Sequence, residues 1–143
     1  MYNQKSCKPD ASNAGNYYSW PAATAGGKLS SGDEISSICP KGWQLTVNAT
    51  SEVKSWYYLI RNTYSISDSY YSKLRPLPLS FICSGSYYQA APYNRGILGN
   101  YESSSAYSSS NMYYLLFNFG ELNPSHNYAY GKNIGMSVRC VAR

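Results

Sequence analysis

The side chains that could do chemistry are few and far apart. Four cysteines stand at Cys7, Cys39, Cys83 and Cys140. Gaps of tens of residues fit neither a C-x-x-C redox pair nor the usual zinc spacings, and His126 is the one histidine that could join them. An even count of cysteines allows two disulfides in three connectivities, and disulfides closing long loops point to an oxidising, extracytoplasmic compartment. Reduced, buried thiols are the plain alternative. The seven acidic residues are scattered from Asp10 to Glu121. They show neither the oxygen cluster that calcium requires nor a convincing carboxylate pair for glycoside hydrolysis, Glu102 and Glu121 being a poor case. His126 sits in a Pro-Ser-His-Asn loop with Glu121 as its nearest carboxylate, and reads as an exposed loop histidine rather than a general base. No catalytic residue, metal or cofactor is expected.

What the chain has in abundance is tyrosine. Seventeen of its 143 residues are Tyr, and between Tyr87 and Asn133, 23 of 47 positions are Tyr, Ser or Asn. That mixture serves recognition: Tyr offers a large, stiff, amphipathic contact at low entropy cost, while Ser and Asn adapt their hydrogen bonds. The twelve Lys and Arg outnumber the acids for a net charge of +5, but they are dispersed along the chain. Nucleic-acid binders concentrate such residues on one face, so no nucleic-acid partner is expected. No apolar run reaches the length of a membrane span. The polar opening, Met1 to Lys5, has no signal-peptide character, so targeting information is expected to lie outside this segment.

The elements that must position this surface follow from local pattern. Residues 1–15 read as a polar lead-in, and 16–143 as a single domain. Asn16 to Trp20 alternates enough for a short strand, with a helical turn from Ala22 to Ala25 after Pro21. Ile38 to Trp43 reads as a strand broken by a turn. Val53, Trp56, Tyr57 and Ile60 form one stripe of an amphipathic helix, with Thr50 or Ser51 as its cap. A second short helix is expected from Tyr70 to Leu74, ended by Pro76 and Pro78. Leu79 to Cys83 is a strand candidate, and Tyr87 to Gln89 its hairpin partner. Residues 91–111 read as irregular loop. Met112 to Phe119 is the best strand; both its faces are partly apolar, so it should be central. Ser137 to Val141 is the last strand. Trp20, Trp43, Trp56 and Tyr57 are expected in the core. Strand, helix, helix and then short strands with long loops make an α+β domain.

Three segments carry a family resemblance. They are Asn16-Tyr17-Tyr18-Ser19-Trp20-Pro21-Ala22-Ala23-Thr24-Ala25, Ile38-Cys39-Pro40-Lys41-Gly42-Trp43-Gln44-Leu45 and Gly135-Met136-Ser137-Val138-Arg139-Cys140-Val141. Together they resemble the Fibrobacter succinogenes major paralogous domain family of bacteria, over about Tyr17 to Arg143. The resemblance implies a C-type-lectin fold: a small twisted antiparallel sheet, two flanking helices and long loops. It also implies a Cys39–Cys140 disulfide, which leaves Cys7 for Cys83. The chain departs from the family at Glu102, where Trp is common, at Met136, where Phe is common, and at Leu45-Thr46-Val47, where Leu-Pro-Thr is usual. The Glu-Pro-Asn and Trp-Asn-Asp elements of calcium-dependent lectins are absent.

Some proteins of this fold are the variable proteins of diversity-generating retroelements, in which adenine-rich codons are randomised. The residue types at sixteen positions are similar to that pattern: Tyr87, Tyr88, Tyr93, Asn94, Asn100, Tyr101, Tyr113, Asn118, Asn123, Ser125, His126, Asn127, Tyr128, Tyr130, Asn133 and Ile134. They form the expected ligand-binding surface, with Glu102 and Lys132 as scaffold. The expected partner is a protein or glycan on another cell or surface, met outside the cell or at its surface. The alternative is a fixed carbohydrate-binding adhesin module that works without calcium.

Overall fold

The computed structural model describes residues 15–48, 54–63, 65, 80–118, 122–123 and 129–143. Along them run α1 (Trp20–Ala23), β1 (Gly32–Asp33), β2 (Trp43–Leu45), α2 (Trp56–Tyr58), β3 (Ser86–Tyr88), β4 (Ala91–Tyr93), β5 (Gly99–Ala106), β6 (Asn111–Phe117), β7 (Leu122–Asn123), β8 (Ala129–Gly131) and β9 (Cys140–Ala142). The result is a sheet-rich α+β arrangement of small antiparallel sheets with short helices. The largest sheet runs β1-β5-β6-β7, with β8 also paired to β6; β2 pairs with β9, and β3 with β4.

Strand β6 is central, as its two apolar faces require. Leu115 and Phe117 look into one core with Trp56, Ile60, Phe81, Cys83 and Tyr101. Met112 looks into a second core on the other face with Trp20, Ala106, Ile134 and Met136, and Tyr114 packs against it. Residues alternate across a strand, so one seven-residue run can wall off two cores. Rings dominate the first core. Phe81 meets Tyr101 edge-on at 5.0 Å and Phe117 at 5.9 Å, with Trp56 at 5.6 Å. Arg139 caps the cluster, its guanidinium 4.3 Å from the Phe81 ring centre.

Residues 91–111 are not irregular. They hold β4 and the eight-residue β5, which is buried at every position despite the sequence Gly-Asn-Tyr-Glu-Ser-Ser-Ser-Ala. Small side chains allow this. A Cβ at Gly99 would overlap the Phe117 ring. The register slips between Glu102 and Ala106, and the serines of that bulge satisfy the groups it frees. Ser103 Oγ donates to Tyr113 O at 2.7 Å and accepts from Ser105 N at 3.2 Å. Ser104 Oγ donates to Thr46 O at 3.2 Å. Ser105 Oγ donates to Asp33 Oδ1 and accepts from Asn48 N at 2.7 Å. Trp20 Nε1 donates to Ser103 O at 3.0 Å.

Other elements are shorter than expected. Of the Asn16–Trp20 strand only a Tyr18–Met136 bridge forms, because α1 already begins at Trp20. The amphipathic helix starts at Trp56. Ser55 is extended and bridged to Val47, and its Oγ caps the helix by accepting from Tyr58 N at 3.0 Å. A π-helical turn, Leu59–Thr63, follows. Trp56 and Ile60 are buried as the stripe requires, while Tyr57 is only half-buried, under Arg61. Residues 81–84 form no strand. The Tyr101 hydroxyl accepts from Ile82 N and donates to Ile82 O, replacing a ladder partner. Trp43 is 47% exposed rather than core, because among the described residues β2 pairs with β9 alone and lies at the surface. The helix expected from Tyr70 to Leu74 and the cap candidates Thr50 and Ser51 lie outside the described residues.

Cys39 and Cys140 form a disulfide with a Cα–Cα distance of 5.8 Å, across 101 residues of chain. It joins the approach to β2 to the start of β9, which pair through Leu45 and Cys140. Closing a loop of that length contributes about 4–5 kcal/mol in a chain-entropy account. Cys83 is also disulfide-bonded; its expected partner, Cys7, lies outside the described residues. No helix among the described residues is long and apolar enough to cross a membrane.

Candidate recognition surface

The hairpin β3–β4 gathers three of the predicted tyrosines. Its register pairs Ser86 with Tyr93, Tyr87 with Pro92 and Tyr88 with Ala91. Alternation therefore puts Tyr88 and Tyr93 on one face and Tyr87 on the other. All three are exposed, at 43%, 58% and 41% respectively. The turn is Gln89-Ala90, and both residues are left-handed, at φ 49° and 62°. Two-residue hairpins prefer this backbone because its twist matches the strands, but they usually fill it with Asn and Gly. Gln and Ala carry a Cβ penalty there.

The base of the hairpin is fixed from the other side. Tyr87 and Gly135 exchange both backbone hydrogen bonds, at 2.7 and 2.9 Å. Tyr17 stacks on the Tyr87 ring at 5.8 Å, and its hydroxyl donates to Ser84 O at 2.5 Å. Gly85, at φ +69°, has no room for a Cβ against the Tyr93 carbonyl. Asn94 is a half-buried turn residue at φ 54°, whose carbonyl accepts from Ile97 N and Leu98 N.

Two further tyrosine pairs reach the surface. Tyr130, exposed on β8, lies 6.1 Å from half-buried Tyr114. Tyr107, exposed where β5 ends, meets half-buried Tyr113 edge-on at 5.3 Å. Tyr17 and Tyr107 are additions to the predicted set. Their signal in the sequence was the same Tyr/Ser/Asn setting, but it does not separate them from buried Tyr101. Asn133 is exposed in the turn after β8, and Asn118 is half-buried.

Three predicted contact residues belong to the interior. Asn100 and Tyr101 lie on β5, each 5% exposed, and Ile134 is 4% exposed in the second core. Strand β6 and Ser137 close over Asn100 and Tyr101, and Ile134 packs with Trp20, Ala106, Met112 and Met136. Burial raises the Tyr101 phenol above its ordinary range; the Ile82 backbone, Arg139 and Ser84 pull it back in part. Asn123 contributes its backbone to β7, paired with Leu116; its side chain lies outside the described residues, as do Ser125, His126, Asn127 and Tyr128.

Glu102 and Lys132, expected as scaffold, are both buried. Glu102 has no solvent exposure, and among the described residues neither carboxylate oxygen has a hydrogen-bond partner. Desolvation holds its carboxyl well above the usual carboxylate range. A side chain so placed is out of reach of a glycan. Lys132 lies over the Trp20 ring, 4.1 Å from its centre, and donates to Leu29 O. Burial lowers its affinity for a proton, and the charge of Glu34 raises it again. Among the described residues, no three of His, Cys, Asp and Glu come together as metal ligands.

Comparison with known proteins found no matching family model, no matching curated protein and no matching solved structure.

Proposed function

We propose that this chain is an extracytoplasmic recognition domain that binds its ligand noncovalently through the exposed tyrosines of the β3–β4 hairpin. The observation that carries this reading is the hairpin itself, with Tyr87, Tyr88 and Tyr93 all solvent-exposed on a base held by Tyr17, Gly85 and Gly135. Rigid aromatic groups on a supported element are what anchor a binding surface. We assign the domain a C-type-lectin fold of the Fibrobacter succinogenes major paralogous kind. The Cys39–Cys140 bridge and the β2–β9 pairing beside it support this assignment, and the disulfides support an oxidising compartment.

The ligand is a protein or glycan, and its contact surface excludes Asn100, Tyr101 and Ile134. Replacing Tyr87, Tyr88 and Tyr93 together by Ser should abolish binding to the ligand surface while shifting unfolding by no more than about 1 kcal/mol. A collapse in stability would assign those rings to the core and sink the proposal. Retroelement diversification makes a separate demand. A near-copy of the 3′ half of the gene, beside a reverse-transcriptase gene, should differ at adenines encoding Tyr87, Tyr88, Tyr93, Tyr130 and Asn133. It should spare the codons of the three buried positions. A gene without such a copy is a fixed adhesin module.

A further inference from the structure

We propose that a groove built from α1, the β5–β6 turn and the turn after β8 binds an acidic saccharide, a sugar bearing a carboxylate. The inference goes beyond the hairpin reading and does not depend on it. The groove is shallow and open to solvent, with a volume of about 720 Å³, and is lined by Ser19, Lys28, Ser109, Ser110, Lys132 and Asn133, with Pro21 and Gly27 completing it. Backbone bonds lock its walls together: Lys132 N donates to Ser110 O at 2.8 Å, and Trp20 N donates to Lys132 O at 3.0 Å. Within the 108–111 turn, Ser108 Oγ accepts from Ser110 N at 3.3 Å and Asn111 N at 3.0 Å.

Charge selects the ligand. No carboxylate lines the groove. Lys132 is 8% exposed, and among the described residues its ammonium contacts one carbonyl oxygen and one ring face. An ammonium has three donors, so a hydrogen-bonding position is left over. Glu34 favours its charged form through space, and Glu34 Oε1 is held by Lys28 N at 2.7 Å and Leu29 N at 2.9 Å. Glu34 offsets the Lys132 charge only in part, so an anion entering the groove gains an attraction from it. Lys28, exposed, supplies a second positive charge. A smaller pocket of about 300 Å³ carries both signs, Asp33 and Glu34 against Lys54 and Arg143, and offers no such selection.

The remaining lining selects a sugar. Serine hydroxyls and the Asn133 amide each donate and accept, as sugar hydroxyls do. Pro21 is the one apolar side chain in the lining, too little for the side-chain pockets that a bound peptide uses.

Titration calorimetry of the whole chain at low salt tests this, with trigalacturonate and sialyllactose against galactotriose and lactose. At least one acidic sugar should bind about ten-fold or more tightly than its neutral counterpart, and added sodium chloride should weaken it. Lys28→Ala and Asn133→Ala, both at exposed positions, should each weaken it several-fold, and Lys132→Met should abolish it. Should Lys132→Met fail to fold, the two exposed variants decide. The Tyr87/Tyr88/Tyr93 triple Ser variant should bind the acidic sugar unchanged, which separates this site from the hairpin. Equal affinity for acidic and neutral sugars, no binding of either acid at millimolar concentration, or indifference to Lys28→Ala would overturn the proposal.

Discussion

Strand β5 and the β3–β4 hairpin invert the usual relation between composition and burial. The strand carries Asn, Glu and three serines and is buried at every position. The hairpin carries three tyrosines and exposes all of them. The difference lies in partners rather than in hydrophobicity. Strand β5 has β1 on one side and β6 on the other, with residues 46 and 137 bonded to its bulge and backbone. Its serines are small enough to fit and polar enough to satisfy the freed backbone. Among the described residues the hairpin pairs β3 with β4 and is held at its base, where Tyr17 stacks on one side of the Tyr87 ring, so all three rings keep a large exposed fraction. Burial here follows how many elements converge on a segment. The exposed aromatic hairpin is the surface on which the proposed recognition rests.

The comparison can be broken at several points. Trp20→Ala should cost the most, about 3–5 kcal/mol in urea unfolding, because it empties a fully buried site and orphans Ser103 O. A cost below about 1 kcal/mol would mean that β5 is not clamped as described. Gly99→Ala should cost about 1–3 kcal/mol, since the new Cβ meets the Phe117 ring. Neither change should alter the intrinsic affinity of the hairpin for its ligand at temperatures where the variant stays folded.

Glu102→Gln tests the buried polar strand in the opposite direction. The folded-state carboxyl titrates well above 4.5, the value taken for an unperturbed Glu. Below that value the carboxyl is protonated in both states and its burial has no charge penalty. As pH rises above it, the unfolded chain releases the proton first, and the wild type loses stability until the folded carboxyl also ionises. The Gln variant should therefore melt higher than wild type at neutral pH, and the gap should close as pH falls toward 4.5. A gap independent of pH between 4 and 8, on the order of the usual carboxylate and histidine ranges, would show Glu102 to be ionised or solvated. The smallest effect belongs to the hairpin turn. Ala90→Gly relieves a left-handed alanine and should stabilise by about 0.5–1 kcal/mol, with ligand affinity equal or better.

Much of the framework was legible. Strand β6 announced itself by apolar residues on both faces, and its central place follows from having two faces to cover. The helix stripe correctly placed Trp56 and Ile60 inside, but its start was misread. Ser55 lies closer to Trp56 than the chosen caps, and its bridge to Val47 is a contact that no local pattern reveals. The Cys39–Cys140 pairing followed from a resemblance, and no spacing rule chooses among three connectivities.

The site was legible only as a composition. Tyr88 and Tyr101 stand in similar surroundings in the sequence, yet one faces water and the other holds the backbone of Ile82 inside a core. Trp43, expected in the core because it follows the cysteine turn, is half in solvent because among the described residues β2 pairs with β9 alone. By itself the sequence determined what is local: residue supply, the periodicity of β6, the helix stripe and the richness in Tyr, Ser and Asn. Only the tertiary structure decided which tyrosines are rings in a core and which are a surface. That choice depends on long-range partners, and a side chain's burial is set by what arrives from elsewhere in the chain.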